Sequence, residues 1–504
     1  MKTIFGCFFF ALLILFTSGS GINSSSELSL TNGQENIPLF QLKLDPSQPG
    51  PVIPDDFIGF SYEKTLLTRP GVFTTDNIVL KRLLINLGKG NLRIGANGAD
   101  IAGWSRLSRS DSTGKNVVTS DDLDRFYGFI KETGWNVVHA LNLRTSRPEI
   151  GADEAEYVAS ISRDRLVAFE IGNEPDLKMR NRYRVTDYIR EFREFTSAIK
   201  AKVPDAKFVG PGATYFCGQY FWSLFRGIDE WTIPFSNEAG KEIVQLTHHI
   251  YVLGTPGETQ PEEQYEATIS NMLGTAAQER YIPTLKKLAM ASERIGVPYR
   301  INETNSCYHV GIDGVSNVFA SALWTVDYLF TLATFGASGV NFHGGTQYFA
   351  PIETSASDLS RARPMYYGML MFHTCSRGSL IPVNVISGPQ LEVSAYATLS
   401  TEGSVAVAII NREAITDIEI ELDATRFFTT AKVLRLEGPS LSAKTGITFG
   451  GASVTQDGEW TSASVETIVR QDRLFKVRIP AMSAVALMLE KDPVDPSASK
   501  RPKR

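Results

Sequence analysis

Two glutamates stand where short apolar segments of the chain end, which is a placement typical of catalytic carboxylates. Residues 166–171 form a mostly apolar run, and Asn173, Glu174 and Pro175 follow it. Because proline lacks the N–H that a strand ladder needs, we expect the strand to end there and to leave Glu174 at its tip. A second short strand, well over a hundred residues later, ends at Glu303. Either glutamate alone could be a surface or capping residue.

Two carboxyl groups brought together would suit the hydrolysis of a glycosidic bond. That reaction uses one protonated carboxyl group, which gives a proton to the leaving oxygen, and one ionised carboxylate. In a parallel α/β barrel the strand tips converge on the face where catalytic groups collect. The pattern therefore predicts that Glu174 and Glu303 meet at the same end of one barrel.

The middle of the chain alternates between predicted strands and predicted helices. Eight such alternations between about 55 and 370 predict an α/β fold, a closed (β/α)₈ TIM barrel, with an open doubly wound sheet as the alternative. The glycine-containing stretch 95–100 has neither Rossmann nor P-loop spacing, so nothing indicates nucleotide chemistry. The predicted strands are 57–62, 91–94, 136–142, 166–171, 207–210, 243–251, 299–302 and 339–343. The predicted helices are 80–87, 119–131, 153–162, 185–202, 222–231, 268–295 and 315–334.

From about residue 380 the pattern changes to short, mostly alternating segments separated by turn residues. Six such segments predict a C-terminal all-β sandwich domain over 380–490. An early alternating segment, within 37–50, has no partner in the barrel count, so we expect it to join the sandwich. The barrel is placed at 55–370, and the polar tail 491–504 is expected to be disordered.

The N-terminus has the features of a secretory signal. Lys2 precedes an apolar run that is too short for a good membrane span, and small residues follow, so residues 1–20 are interpreted as a signal peptide and the protein as secreted and extracellular. A signal anchor is the alternative. Beyond the signal lie Cys217, Cys307 and Cys375, an odd number that allows at most one internal disulfide.

Charge and composition exclude several kinds of partner. The net charge is −5 and the pI is near 5.8, so the chain has no general attraction to nucleic acid or to anionic membranes. His248 and His249 have no Cys, Asp or Glu at ligand spacing, so we interpret them as structural histidines and expect no metal and no cofactor. We expect a monomer whose partner is a carbohydrate substrate.

Three motifs together resemble glycoside hydrolase family 79, the β-glucuronidases and heparanases. They are Glu-Ile-Gly-Asn-Glu-Pro at 170–175, Asn-Glu-Thr-Asn-Ser-Cys-Tyr at 302–308 and Leu-Arg-Ile-Gly-Ala-Asn-Gly-Ala-Asp at 92–100. The first alone is shared by many families of the same clan, and the combination with a sandwich is more specific. The resemblance implies that Glu174 is the acid/base and Glu303 the nucleophile of a retaining mechanism.

The resemblance also implies roles for residues that would bind the sugar. Asn173 corresponds to the residue that binds the 2-hydroxyl group, and Tyr251 to the tyrosine that supports the nucleophile. Tyr308 and Tyr348 correspond to tyrosines that bind the substrate carboxylate together with backbone N–H groups, although packing is the alternative for both. The sequence His-Val-Gly at 309–311 replaces the glycine-rich run that heparanases carry there. Two further residues correspond, less specifically, to polar residues that contact the substrate near its non-reducing end: Glu63 and Asn97.

Two arginines could keep the predicted nucleophile ionised. Arg300, close in sequence, and Arg93, on the second predicted strand, are the cations expected to keep Glu303 ionised, since an opposite charge within about 4–6 Å lowers a carboxyl pKa. For Arg93 a salt bridge at the barrel floor is the alternative.

An exo-acting enzyme fits the charge pattern better than an endo-acting one. An endo-acting heparanase-like enzyme would need basic patches along its cleft. The dense basic cluster at 178–184 could contact an anionic aglycone or could be a solvated loop face. The predicted function is a secreted exo-β-glucuronidase that releases terminal glucuronic acid or its 4-O-methyl form. The alternatives are an endo-acting glucuronidase, a neutral-sugar glycosidase of the clan and a non-catalytic carbohydrate-binding relative.

Overall fold

The computed structural model describes most of the chain between residues 37 and 490. The described ranges are 37–109, 114–178, 183–216, 226–254, 265–354, 360–424 and 428–490. The predicted signal peptide, the C-terminal tail, Cys217 and part of the basic cluster lie outside them.

Eight parallel strands close into a barrel, and the last strand pairs with the first through Val340 and Ile58. Their mostly apolar, buried sequences suit strands that are covered on both faces. In chain order Glu174 follows the fourth strand, and Glu303 is the central residue of the seventh. The strands are β1 Ile58–Glu63, β2 Asn91–Gly95, β3 Asn136–Leu141, β4 Leu166–Ile171, β5 Phe208–Phe216, β6 Gln245–Leu253, β7 Tyr299–Cys307 and β8 Val340–His343.

One helix of the outer ring follows each strand. Local sequence sets their ends: Asn77 accepts a hydrogen bond from the N–H of Leu80 at the start of α1, and Gly296, with φ of 69°, ends α6. The helices are α1 Ile78–Asn86, α2 Ser120–Thr133, α3 Pro148–Ser162, α4 Val185–Lys202, α5 Ile233–Ala239, α6 Thr275–Ile295, α7 Phe319–Thr334 and α8 Pro364–Cys375. None of the described helices has both the length and the hydrophobicity to cross a membrane.

Several predicted elements differ from the structure, among them the strand predicted over 299–302, which continues past Glu303 to Cys307 as β7. The helix predicted over 268–295 is divided into Ile269–Leu273 and α6, because Gly274 between them is extended, with φ of −76° and ψ of 160°. The strand predicted over 207–210 continues to Phe216 as β5, past Pro211, which we expected to end it. The predicted helix 222–231 begins outside the described residues, and its described part is a π-helical turn, Arg226–Thr232.

Two sheets pack face to face after the barrel and form the sandwich. The predicted N-terminal strand, Leu39–Leu44, pairs in parallel with Ile418–Asp423 and antiparallel with Val383–Ser387. Leu474–Ile479 completes this four-stranded sheet. The second, larger sheet includes Val393–Leu399, Val405–Asn411, Thr430–Glu437 and Ser483–Leu489. The predicted fold class, a TIM barrel with a sandwich that takes an N-terminal strand, is confirmed.

The larger sheet has two apolar faces. Val407 and Ile409 point into the core between the sheets, whereas Ala406, Ala408 and Ile410 belong to the core that the sheet shares with the barrel. This follows from the two-residue period of a strand. The sheet packs on α7 and α8, so it supports the last quarter of the barrel.

A buried ion pair crosses this boundary between barrel and sandwich. Asp327 on α7 lies 2.7 Å from Arg412, and both side chains are 4% exposed. Tyr396 donates a hydrogen bond to the same carboxylate at 2.8 Å, and Gln278 donates another. Arg412 also reaches Glu392 at 3.2 Å.

One of the described cysteines is a free thiol in a buried position. Cys375 at the end of α8 is buried and forms no disulfide, and Cys307 at the end of β7 is also buried. Burial raises the pKa of Cys375 to about 12, so this thiol stays protonated at neutral pH.

The boundary ion pair predicts a clear effect on stability. Arg412→Met leaves the buried charge of Asp327 uncompensated, so it should lower the free energy of unfolding by about 3–5 kcal/mol. Asp327→Leu should cost less, because Arg412 keeps Glu392 as a partner. The double variant should lose less than the sum of the two, because no charge is left unpaired. Thermal and urea unfolding of the four proteins measures this coupling.

An exposed ion pair of the sandwich provides the control. Lys432 and Glu490 lie 2.8 Å apart with side chains 53% and 67% exposed. Lys432→Met should change stability by no more than about 1 kcal/mol. Strictly additive losses from Asp327→Leu and Arg412→Met would show that the two charges do not stabilise each other.

Candidate active site

The backbone at the end of β4 turns Glu174 into the barrel mouth. Glu174 has φ of 42°, in the left-handed region that is costly for a residue with a Cβ atom. Gly172 just before it has φ of 80°, and Pro175 begins a short 3₁₀ helix just after it. The side chain is buried, and its carboxyl group faces the barrel axis instead of continuing the alternation of the strand.

An irregularity in β7 brings two consecutive side chains into the interior. Ile301 pairs with His248 of β6, but the next pair is Glu303 with His249, so Asn302 is an extra residue on this strand. Both Asn302 and Glu303 then make buried contacts inside the barrel. A bulge of this kind is a common means of redirecting a side chain next to an active site.

The two glutamates lie close together. An oxygen of Glu174 and an oxygen of Glu303 are within 4.8 Å of each other. Carboxyl groups about 5–5.5 Å apart are typical of retaining glycosidases, whereas inverting enzymes separate them by about 6.5–9.5 Å to fit a water molecule. The geometry therefore favours direct attack by one carboxylate on the sugar.

Three hydrogen bonds fix the carboxylate of Glu303. Tyr251 donates to Oε1 at 2.8 Å, while Arg93 and Ser61 donate to Oε2 at 2.7 and 3.1 Å. Burial raises the pKa of Glu303, but the nearby His343, His249 and Arg93 outweigh it and hold this pKa well below its ordinary value. Glu303 is thus an ionised carboxylate at neutral pH, as a nucleophile must be.

Arg93 connects the nucleophile to the rest of the barrel interior. Its guanidinium is fully buried and also donates to Glu170 at 2.6 Å and to Asn173 at 2.8 Å. Glu170 accepts a further hydrogen bond from Asn302 at 2.6 Å. Arg93 therefore belongs to the site and is not a salt bridge of the barrel floor.

The expectation that Arg300 would also neutralise Glu303 is wrong. Arg300 donates to Asn341 at 2.6 Å and to the carbonyl oxygen of Phe57 at 3.2 Å, which places it in a deeper layer of the barrel. Three residues of extended strand, about 10 Å, separate it from the nucleophile along β7.

Glu174 has a different environment from Glu303. Burial and the nearby negative charge of Glu303 raise the pKa of Glu174 to about 8, so it is protonated at neutral pH. Its Oε1 lies 2.9 Å from Nδ1 of His249. Burial lowers the pKa of His249 to about 4, so this histidine is neutral and can accept the carboxyl proton in a hydrogen bond.

The two adjacent histidines of β6 differ in their contacts. His248 faces away from the site and pairs through Nδ1 with the hydroxyl of Thr232 at 2.9 Å, which is a structural contact. His249 contacts Glu174, and our prediction that it is a structural histidine missed this contact. Alternation along a strand places His249 on the same face as Tyr251, and this was the signal in the sequence that could have identified it.

Four of the predicted sugar-binding residues surround the pair. Asn173 is buried, and its amide also lies 3.5 Å from Oδ1 of Asn97, which is exposed. Glu63 at the end of β1 accepts a hydrogen bond from the N–H of Gly98. Tyr251 is the hydroxyl donor to Glu303 already described.

The two tyrosines predicted to bind a carboxylate lie on neighbouring loops. Tyr308 is 1% exposed and packs in a cluster with Tyr251 and Phe349. Tyr348 is 43% exposed, and its backbone N–H donates to the carbonyl oxygen of Val310 at 2.8 Å. The loops after β7 and β8 are thereby joined, and the assignment of both hydroxyl groups to a substrate carboxylate stays a prediction.

One group of side chains has the composition of a metal site. Glu174, His249 and Glu303 each bring one possible ligand atom within 4.8 Å of the others. However, Nδ1 of His249 already pairs with Glu174, and both carboxylates have the opposed pKa shifts of an acid and a nucleophile. We therefore interpret the group as a catalytic pair with its histidine partner.

Known proteins resemble this chain in both domains. Residues 395–486 match the family described as "Glycosyl hydrolase family 79 C-terminal beta domain". A β-glucuronidase of Aspergillus niger is 24% identical over 518 residues, which span 87% of this chain and 93% of that protein. A β-glucuronidase of Neurospora crassa is 25% identical over 375 residues, 65% of this chain and 64% of that protein.

The fold as a whole also resembles a solved structure. A 4-O-α-L-rhamnosyl-β-D-glucuronidase of Fusarium oxysporum aligns with a TM-score of 0.72 at 16% identity, over 90% of this chain and 100% of that chain. The barrel, the sandwich and the sequence relatives agree with the resemblance carried by the motifs. The chain is a glycoside hydrolase, and its C-terminal domain matches the C-terminal β domain of glycoside hydrolase family 79.

Proposed function

We propose that this protein is a retaining exo-β-glucuronidase that removes terminal β-linked glucuronic acid, or its 4-O-methyl form, from glycans or glycoconjugates. The observation that carries the proposal is the close pair of Glu174 and Glu303 with opposed pKa shifts. One carboxyl group is protonated and the other ionised in the same mouth, as double displacement requires.

In the first step the ionised Oε atom of Glu303 attacks the anomeric carbon of the sugar. Glu174 gives its proton to the glycosidic oxygen as the bond to the leaving group breaks. The products are the protonated leaving group and a glycosyl ester on Glu303. Tyr251 and Arg93 each hold one oxygen of Glu303, so the carboxylate is oriented before the substrate arrives.

In the second step Glu174 changes its role. Once Glu303 is esterified, it has no negative charge, and one cause of the raised pKa of Glu174 is removed. Glu174, now ionised, takes a proton from a water molecule that attacks the anomeric carbon, and Glu303 leaves as a carboxylate. The restored negative charge of Glu303 then favours the protonated form of Glu174 for the next cycle.

The choice of glucuronic acid is supported by the relatives and by the loops after β7 and β8. The Aspergillus and Neurospora relatives are described as β-glucuronidases. In this chain Tyr308 and Tyr348 come from loops that are hydrogen-bonded to each other. His309 and Gly311 have φ of 60° and 75°, a backbone geometry that can turn N–H groups toward an anion.

Exo action and secretion are parts of the same proposal. The net charge of −5 does not suit a cleft that binds a long sulfated chain, which supports release of a terminal residue. The predicted signal peptide at 1–20 supports secretion.

Hydrolysis of a panel of chromogenic glycosides tests the proposal directly. The purified protein should release nitrophenol from the β-glucuronide and not from the β-glucoside, β-galactoside or β-galacturonide. Preference for the neutral glucoside would contradict the carboxylate-binding role of Tyr308 and Tyr348. Release only from longer glucuronide-containing chains would indicate endo action.

Substitution of the two glutamates should give different kinetic signatures. Glu303→Gln should reduce activity to background, because no ester can form. Glu174→Ala should lose about 10²–10⁴-fold for substrates with poor leaving groups. With a nitrophenyl leaving group, azide should restore turnover of Glu174→Ala and give a β-glucuronosyl azide, since azide needs no general base. Rates and NMR of the product measure both effects.

The matched control is a glutamate on the outer surface of the barrel. Glu194→Gln on α4 makes the same chemical change far from the strand tips and should leave kcat/KM unchanged. If azide rescued Glu303→Gln and not Glu174→Ala, the assignments of nucleophile and acid/base would have to be reversed.

The pH dependence should follow the opposed pKa shifts. Glu174 acts as an acid only while protonated, so kcat/KM should fall as the pH rises through its pKa of about 8. Glu303 acts only when ionised, so the acidic limb should lie below the ordinary pKa of a glutamate. Measurement of kcat/KM for an alkyl β-glucuronide from about pH 2 to about pH 10 tests both limbs. A rate that continues to rise above the pKa of Glu174 would exclude it as the acid.

A further inference from the structure

We propose that His343 is a positioning residue that carries a positive charge and, through the hydroxyl group of Tyr251, holds Glu303 in its ionised form. His343 is the last residue of β8, and none of the sequence motifs assigned it a role. The inference rests on the proposed double displacement, because it concerns the charge of the nucleophile.

The hydrogen bonds of Tyr251 determine that Nδ1 of His343 is protonated. The single hydroxyl proton of Tyr251 is used in the hydrogen bond to Oε1 of Glu303, at 2.8 Å. Nδ1 of His343 lies 2.9 Å from the same hydroxyl oxygen. Since that oxygen has only lone pairs left to offer, Nδ1 must carry a proton and donate it. Nδ1 is also 3.5 Å from Oε1 of Glu303 itself.

The second nitrogen faces another carboxylate. Nε2 of His343 is buried without a hydrogen-bond partner in the described structure, and Oε1 of Glu63 lies 3.7 Å away. If Nε2 carried no proton, its lone pair would face that oxygen. A proton on Nε2 makes the contact with Glu63 attractive. With both ring nitrogens protonated, the imidazole is a cation.

The charge balance of the barrel mouth requires a second cation. Arg93 lies 2.6 Å from Glu170 and 2.7 Å from Glu303, so one positive charge is shared between two buried carboxylates. A buried charge without a partner is costly. His343 supplies the missing positive charge on the side of Glu303 opposite to Arg93, at the other carboxylate oxygen.

Titratable groups from four other strands, and from the segment after β4, face His343 or act on its charge. The negative charges of Glu303 and Glu63 favour the imidazolium, while burial and the charge of Arg93 oppose it, and the result is a pKa of His343 above its ordinary value. His249 is neutral at pH 7 and Glu174 is protonated, so neither changes the sign of this balance. The complete set is Glu63, Arg93, Glu174, His249, Tyr251 and Glu303.

The pH profile of an isosteric variant tests the role of the charge. In His343→Asn the amide nitrogen can still donate to Tyr251, but the positive charge is gone. The pKa of Glu303 should then rise, and the acidic limb of kcat/KM should move to higher pH by about 1 unit or more. The alkaline limb, set by Glu174, should move little. His373→Asn, on α8, is the matched control and should leave both limbs unchanged.

The charge of His343 can also be measured without any substrate. In protein labelled with ¹⁵N-histidine, the ring signals absent from His343→Asn identify this residue among the six histidines. They should show an imidazolium at pH 7 in the wild-type protein. In Glu303→Gln the pKa of His343 should fall, because coupling between two titrating groups is reciprocal.

The two measurements separate failure of this inference from failure of the proposed function. If the wild-type protein cleaves no glucuronide, the function is wrong, and the ¹⁵N titration still decides whether His343 carries the charge. A neutral His343 at pH 7 would overturn the inference. So would a His343→Asn variant whose activity falls equally at every pH with an unmoved acidic limb, since that is the result of a purely structural role.

Discussion

The site depends on one buried guanidinium that binds several carboxylates. Arg93 comes from β2 and reaches Glu170 and Asn173 around β4 and Glu303 on β7, so it fixes the relative positions of three strands. Its burial is possible only because it is paired, and the carboxylates are buried only because it is there. The catalytic geometry and the stability of the barrel interior therefore depend on the same set of contacts.

The opposed states of the two glutamates follow from small differences in their surroundings. Both side chains are buried, so desolvation alone would protonate both. Glu303 receives donors on both of its oxygens and lies next to two cations, whereas Glu174 contacts a neutral histidine. The positive φ of Glu174 and the bulge at Asn302 are the two backbone distortions that direct the carboxyl groups to these environments.

Much of this arrangement could be predicted from local sequence. Alternation of strands and helices indicated the barrel, and the strand-ending Pro175 placed Glu174 at a tip. Side-chain direction could not be predicted in the same way, because it depends on register. The bulge in β7 appears only against β6, and the contacts of His249 and His343 join strands far apart in the sequence. Arg300 was wrongly placed beside Glu303 because nearness in sequence does not show that its partners lie in a deeper layer of the barrel.

The sandwich contributes to catalysis by supporting the part of the barrel that carries the nucleophile. Thr304, the residue after Glu303, pairs its hydroxyl with that of Tyr328 on α7 at 2.8 Å. Its neighbour Asp327 on the same helix pairs with Arg412 of the sandwich at 2.7 Å. Consecutive residues of α7 thus make the contact with β7 and the contact with the sandwich. Since a misplacement of about 1 Å can cost about 10²-fold in rate, a rigid support behind β7 and β8 has a direct catalytic value.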